Sequence, residues 1–364
     1  MARENTGMTY AKGKKNDEFY TQYSDIQKEV NAYLEYNQDA FRGKTILLPC
    51  DDPEWSNFTR FFAQNFETLG LKKLISTSYA TNSKEVTYQQ LSFFEENSPI
   101  YDATKTDSNG KIFVLKHDAN KSGKIDIEDL EWSYLEGDGD FRSNEVKALR
   151  DEVDIIITNP PFSLFREFLE WVMEANKQFL IIGNINCITY KEVFPLIRDN
   201  KIWLGNGMGR WISGFIVPDG YPLYGTEARV EDGKRIVATN NCLWLTNIDH
   251  GRRHQELKLM TMSDNIKFSK HKEVREIGYE KFDNYDAINI PFTDAIPLDY
   301  DGFMGVPITF LDKYNPDQFE IIDANIIRTN DSVPAKKHGL IKDKDGSING
   351  KPKYARIVIR RIKV

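Results

Sequence analysis

A β-branched run that stops against two prolines constrains this chain more than any other feature. Residues 154–172 read DIIITNPPFSLFREFLEWV. Ile155 to Thr158 have the branched, apolar character of a buried strand. Pro160 and Pro161 cannot extend it, because each lacks the N–H that a ladder needs. An amphipathic helix follows at once, so strand, rigid turn and helix are consecutive.

The same alternation recurs along the chain. KTILLPC (44–50) reads as a buried strand running into the polar turn DDPEWSN. FTRFFAQNFETLG follows as a helix stopped by Gly70. LKKLISTSY, KQFLIIGNINCI, KIWLGNG and NNCLWLTNI are further strand candidates, and NEVKALRDEV and YKEVFPLIRDN are helical. Strands and helices at this spacing predict an α/β fold, with a parallel sheet covered on both faces. Residues 1–16 read as a flexible basic arm, 17–250 as the α/β body with an acidic insertion near 101–130, and 251–364 as a less regular, Pro-rich and aromatic region. Ligands bind such sheets at the carboxyl ends of the strands. That singles out the turns Pro49–Asn57, Gly137–Arg142, Asn159–Phe162 and Asn184–Cys187.

At 364 residues, the chain can bury a full core and a second, smaller region. No run approaches the roughly 18 apolar residues of a membrane span, and the polar start MARENTGMTYAKGKK has no secretory h-region. Cys50, Cys187 and Cys242 lie far apart, which argues against a zinc or disulfide framework and fits the cytoplasm. The formal net charge of −7 at first disfavours a nucleic-acid partner. The charge is uneven, however: residues 331–364 hold ten Lys/Arg against three Asp/Glu. An acidic protein can still present a basic face.

Asn159-Pro160-Pro161-Phe162 supports a particular chemistry. The Asn159 side-chain oxygen accepts hydrogen bonds, and the prolines fix where it and the Pro160 carbonyl point. Two acceptors converging on one spot suit an amino group with two protons. Binding both protons favours a pyramidal nitrogen whose lone pair is no longer delocalised into a ring. Phe162 offers a flat face on which a base can stack.

Asn-Pro-Pro-Phe at a strand end resembles the catalytic motif of S-adenosylmethionine-dependent amino-methyltransferases acting on adenine in DNA. Together with DEFYTQYSDI, CDDPEWSNF, GLKKLIST, GDGDFRS, ITYKEVF and NKIWLG, it resembles the EcoRI-type adenine-specific DNA methylases over most of residues 1–210, and more loosely beyond. The resemblance implies a Rossmann-like class I methyltransferase sheet with a C-terminal target-recognition region at 251–364. It implies S-adenosylmethionine as cofactor, double-stranded DNA as partner and a flipped adenine as substrate. A cognate restriction endonuclease, without a stable complex, and a monomeric state are also expected.

Residue by residue, the resemblance sets Phe19, Tyr20 and Thr21 at the methionine end of the cofactor. Pro49, Cys50, Asp51, Asp52 and Asn57 fall on the first cofactor loop, and Asp140 and Phe141 on the segment holding its adenine. Asn159, Pro160, Pro161 and Phe162 fall on the catalytic motif. Two departures stand out. The first loop has no glycine, and the second strand ends without the acidic residue expected to hold the ribose, a role left to Asp51 or Asp52.

Other patterns are weaker. DANKSGKIDIED places Asp118, Asn120, Ser122, Asp126 and Asp129 at the offsets of a calcium loop, but Asp stands where the bidentate Glu belongs and a strand precedes it. A solvated turn in an acidic insertion accounts for it better than a metal site does. The histidines show no metal spacing beyond His250 and His254. Arg252 and Arg253, Arg210 in GMGRWISGF, and Lys336 and Lys337 in the basic tail are DNA contacts by residue type, or simply solvated charge. Two rival functions remain at this stage: methylation of a protein glutamine amide, which uses the same Asn-Pro-Pro-aromatic signature, and a catalytically silent DNA-binding module. The C-terminal region and basic tail argue against the first, and the intact motif against the second.

Overall fold

The computed structural model describes residues 20–80, 94–95, 98–208, 212–217, 223, 228–237, 241–283, 286–323, 347–352 and 356–362. They form two compact units: residues up to Ile185 with Gly205–Ile248, and Asn186–Leu204 with everything from Asp249 onward. No helix among the described residues is long and apolar enough to cross a membrane.

The first unit is built on an eight-stranded sheet. Its strands are β2 (Thr45–Leu48), β3 (Lys73–Ser78), β4 (Lys111–Leu115), β5 (Glu131–Tyr134), β6 (Ile155–Thr158), β7 (Gln178–Asn184), β8 (Trp203–Met208) and β12 (Cys242–Thr246), in the order β5-β4-β3-β2-β6-β7-β12-β8. The four in the middle, β3-β2-β6-β7, are parallel. The sheet as a whole is mixed, unlike the parallel one expected: β4 runs antiparallel to β3, β5 to β4, and β12 to β7. The physical reason is that an all-buried strand such as Cys242–Thr246 is apolar on both faces in either direction, so its sequence carries no sign of polarity.

Successive strand residues point to opposite faces. Ile46, Leu48, Leu74, Ile155, Ile157, Leu180, Ile182 and Trp244 share one core with Phe58, Phe61 and Phe62 of α2 (Asn57–Gln64) and with Ile26, Val30 and Tyr33 of α1 (Tyr23–Tyr36). Leu47, Ile156 and Ile181 face the other way and are also fully buried, so both faces are covered. The short α3 (Phe66–Leu69) ends on Gly70 at φ 63°, a left-handed stop.

A smaller sheet, β1 (Tyr20–Thr21), β9 (Phe215–Val217), β11 (Lys234–Val237) and β10 (Arg229–Glu231), belongs to the same unit. Helix α1 ties down β8 and Ser213, just before β9. Glu29 accepts from Asn206 N–H at 2.9 and 3.1 Å, and Asp25 accepts from the backbone and hydroxyl of Ser213 at 2.8 Å each. Helices α4 (Asn144–Glu152) and α5 (Phe165–Glu174) flank β6 in sequence.

The second unit holds α6 (Phe194–Arg198), α7 (Met262–Phe268), α8 (Lys272–Ile277) and the four-stranded sheet β13 (Ala287–Asn289), β14 (Phe303–Pro307), β16 (Arg356–Arg361) and β15 (Phe319–Asp323). Phe310, Phe319, Ile321 and Ile359 are buried in it.

Candidate active site

The site is assembled where β2, β3 and β6 end. Strand β6 closes on Thr158, which is 1% exposed, and Asn159 follows with its side-chain oxygen shielded from solvent. Pro160 is buried, and Pro161 and Phe162 are half-buried. A single tight turn, with Leu164 N–H donating to Pro161 carbonyl at 3.0 Å, carries the chain into α5. The motif therefore stands as a rigid corner between a central strand and a helix.

Two expected cofactor elements are brought to this corner. Strand β1 pairs with β9, Thr21 opposite Phe215, and the Phe215 ring lies edge-on to Phe162. Asn57, at the start of α2, donates its side-chain amide to the Thr21 carbonyl at 2.8 Å. Tyr20, Thr21, Asn57 and Phe162 are thus linked by direct contacts, although they come from three separate stretches of sequence.

The glycine-free first loop solves its geometry with a cysteine. Cys50 has φ 66°, in the left-handed region where glycine is ordinarily preferred. Its N–H donates to Thr77 Oγ1 at 3.2 Å, and its thiol meets the Tyr79 hydroxyl. Asp51 follows and turns inward. Its carboxyl is hydrogen-bonded to Ser56 Oγ at 2.7 Å and Thr158 Oγ1 at 2.6 Å, and it is only 7% exposed. Burial raises its pKa to about 7, against the opposing effect of the two hydroxyls. Asp51 is therefore not turned outward to hold ribose. Asp52 is half-buried, and its carboxylate accepts from Glu54 N–H at 3.0 Å. Ser56 caps α2 by accepting from Phe58 N–H at 3.0 Å.

Tyr79, just beyond β3, is a residue that sequence reasoning missed. It stands where an acidic residue was sought. Its hydroxyl joins the Cys50 thiol to the Phe141 backbone N–H, and burial pushes its pKa upward. The only hint in the sequence was an aromatic residue directly after the apolar strand. Thr158 and Ser56 were likewise missed, because a strand's last hydroxyl and a helix cap look ordinary.

The Gly137–Arg142 turn docks on the end of β3. Ala80 N–H donates to Asp138 carbonyl at 2.8 Å, and Gly139, at φ 87°, leaves no room for a Cβ against the Ser78 carbonyl. Asp140 is held below the usual carboxylate range by its hydrogen bonds to Arg142, which also reaches Glu167 at 3.2 Å. Phe141 is fully buried against Phe168 and Trp171, so its ring serves the core, and only its backbone faces the site.

The 118–129 segment closes on itself. Asp118 accepts from Ser122 and Gly123 N–H, Asn120 from Ser122 N–H, Asp126 from Glu128 N–H, and Asp129 from Asn120 and Asp126 N–H. Among the described residues, no group of three or more His, Cys, Asp or Glu side chains could hold a metal ion. Arg252 and Arg253 are also engaged within their own unit. Arg252 binds Asp312 at 2.5 Å, and Arg253 stacks on Trp203 with its guanidinium 3.6 Å from the ring centroid while bonding Asp249 at 3.0 Å. Their geometry serves the packing of the second unit rather than a freely solvated basic loop. Phe19, Arg210, Lys336 and Lys337 lie outside the described residues, as does the 1–16 arm.

Comparison with known proteins gives concordant matches. The family model described as adenine-specific methyltransferase EcoRI matches residues 7–362. Type II methyltransferase M.EcoRI of Escherichia coli is 46% identical over 363 residues, covering 99% of this chain and 98% of its own length. Type II methyltransferase M.MgeORF184P of Mycoplasma genitalium is 35% identical, covering 96% of this chain and 97% of its own. Type II methyltransferase M.MpnI of Mycoplasma pneumoniae is 33% identical with the same coverage. No solved structure matches the chain.

Proposed function

Since the chain belongs to the adenine-specific methyltransferase EcoRI family and is a DNA methyltransferase, we propose that it methylates the exocyclic 6-amino group of an adenine flipped out of double-stranded DNA, with S-adenosylmethionine as donor. The observation that carries this reading is the company kept by Asn159. It follows a central parallel strand, with the loop after β2 bonded to its neighbour Thr158 and the β1–β9 pair bonded to Phe162 through Phe215.

The chemistry of the strand ends fits the cofactor. Asp52, Asp140 and Asn159 offer oxygen acceptors, and Arg142, the guanidinium beside them, is paired with Asp140 and Glu167. An acceptor-rich setting suits a group that carries a sulfonium and an ammonium. S-adenosylmethionine supplies the electrophilic methyl. Tyr20, Thr21, Asn57, Pro49, Cys50, Asp52 and the Asp140–Phe141 backbone are the residues proposed to hold it.

The protein's task is then positioning. Asn159 Oδ1 and the Pro160 carbonyl accept the two amino protons of the base, and the Phe162 face stacks on its ring. In a duplex that amino group is paired, so the base must leave the stack. Holding nitrogen roughly 3–3.5 Å from the methyl carbon, in line, supplies most of the acceleration. Residues 251–364 are proposed to read the target sequence, and the mark to protect those sites from a cognate restriction endonuclease.

The test is transfer of a labelled methyl group to unmethylated DNA, followed by nucleoside analysis. N6-methyladenine at one fixed sequence, absent with Asn159→Ala, is the expected result. Label in cytosine, or in protein and not in DNA, overturns the proposal.

A further inference from the structure

We propose that Asp51 is a positioning residue that clamps the catalytic corner to the first loop through Thr158, and that it does so as a neutral carboxylic acid. The inference rests on the reading of Asn159-Pro160-Pro161-Phe162 given above. It adds a residue that touches neither substrate nor cofactor.

The argument is a count of protons. Thr158 Oγ1 lies 3.0 Å from the Pro49 carbonyl oxygen and 2.6 Å from Asp51 Oδ2. A hydroxyl has one proton, and a carbonyl can only accept. Both contacts are hydrogen bonds only if one proton comes from Asp51. Ser56 Oγ meanwhile accepts from Phe58 N–H at 3.0 Å and donates to Asp51 Oδ1 at 2.7 Å. With a proton on Oδ2, the bonds run in one direction: Phe58 N–H to Ser56, Ser56 to Oδ1, Oδ2–H to Thr158, and Thr158 to Pro49. With a carboxylate, Thr158 must turn its proton to Asp51, and the buried Pro49 carbonyl loses that donor.

The surroundings favour the neutral form. Asp51 is 7% exposed, and the charged neighbour that acts on it is Asp52, whose charge opposes ionisation. On the facing strand end, Ser76 and Thr77 are uncharged, and Tyr79 is a phenol whose own ionisation is suppressed by burial. Burial moves the Asp51 pKa to about 7.

The clamp acts where the backbone ladder gives out. Strands β2 and β6 pair at Ile46↔Ile155 and Leu47↔Ile156. Beyond that, the Thr158 side chain makes the connection to Pro49 and Asp51, one residue before Asn159. Loss of the clamp frees the corner to drift while leaving the sheet intact.

Asp51→Asn tests this directly, because an amide supplies the same donor and the same acceptor as the neutral acid. The expected result is a folded variant with kcat and cofactor Kd within roughly threefold of wild type. Thr158→Val should lower kcat by roughly ten- to a hundredfold, with cofactor Kd unchanged. A second readout needs no methyl transfer. The native state retains the Asp51 proton to higher pH than the unfolded chain, so wild type loses stability relative to Asp51→Asn as pH rises from about 4 to about 7, then levels. Melting temperatures of the pair across pH 4–9 read this difference. A constant difference above pH 4, an unfolded Asp51→Asn, or a variant whose cofactor Kd rises tenfold or more each overturns the proposal. If wild type proves inactive on DNA, the melting series still decides the protonation state, so the two readings fail separately.

Discussion

Phe162 meets Phe215 edge to face, with ring centroids 6.2 Å apart and planes at 71°. Phe215 is also the register partner of Thr21. The ring proposed to receive the target base is therefore braced by the strand pair that includes Tyr20 and Thr21.

Phe162→Ala should keep the fold and lower kcat/KM for DNA by roughly 5- to 100-fold, the range of one lost base-stacking contact. Phe162→Trp should retain most activity. A fluorescent base analogue at the target position would report weaker stabilisation of the flipped state in the alanine variant. Unchanged kcat/KM in that variant would mean that the ring serves packing alone.

Gly139 permits the Gly137–Arg142 turn to touch β3. A methyl group there would strike the Ser78 carbonyl, and φ 87° is strained for any side chain. Gly139→Ala should cost about 2–3 kcal/mol, seen as a lower urea midpoint. Cofactor affinity should fall with it, since Asp140 and the Phe141 backbone ride on this turn.

Tyr79→Phe removes the hydroxyl joining Cys50 to Phe141. Stability should drop by about 1 kcal/mol, the usual worth of a hydrogen bond. Isothermal titration should show weaker cofactor binding with little change in kcat at saturating cofactor. The reverse pattern would place Tyr79 in the chemical step.

The second unit carries a pH-sensitive contact. His250 is 2% exposed and its Nε2 lies 3.0 Å from the Leu204 carbonyl; burial lowers its pKa to about 4. The unfolded chain therefore takes up a proton near pH 6.5 that the native state refuses until about 4. Stability is full above pH 6.5 and falls as pH drops from there to about 4, by on the order of 3 kcal/mol. His250→Gln should flatten that part of the acid limb. An unaltered limb would show that other groups govern it.

The residues differ in how plainly their roles could be read. Ile155–Phe162 announced strand, corner and helix because branching and prolines act through local backbone sterics. The stop at Gly70 was readable for the same reason. Cys50 was not: its left-handed backbone is imposed by Thr77 and Tyr79, which are distant in sequence. Asp51 could be located, but its inward turn depends on Thr158, more than a hundred residues away. The Phe141 ring is core, which could not be read from the sequence because Phe168 and Trp171, which cover it, lie about thirty residues on. Arg252 and Arg253 read as DNA contacts or solvated loop charge, and their packing was hidden because Asp312 and Trp203 are far along the chain. Strand direction at β12 was unreadable because residues buried on both faces look alike either way.

Strand β6 is fifth in the order of eight, hydrogen-bonded to β2 on one side and β7 on the other. Fraying starts at sheet edges, so the amides just before Asn159 should exchange with solvent only when the whole unit opens. The corner is thus anchored to one of the inner strands of its sheet. On the proposed reading, a base drawn from its duplex meets acceptors carried by an inner strand, and the nucleic acid takes up most of the deformation.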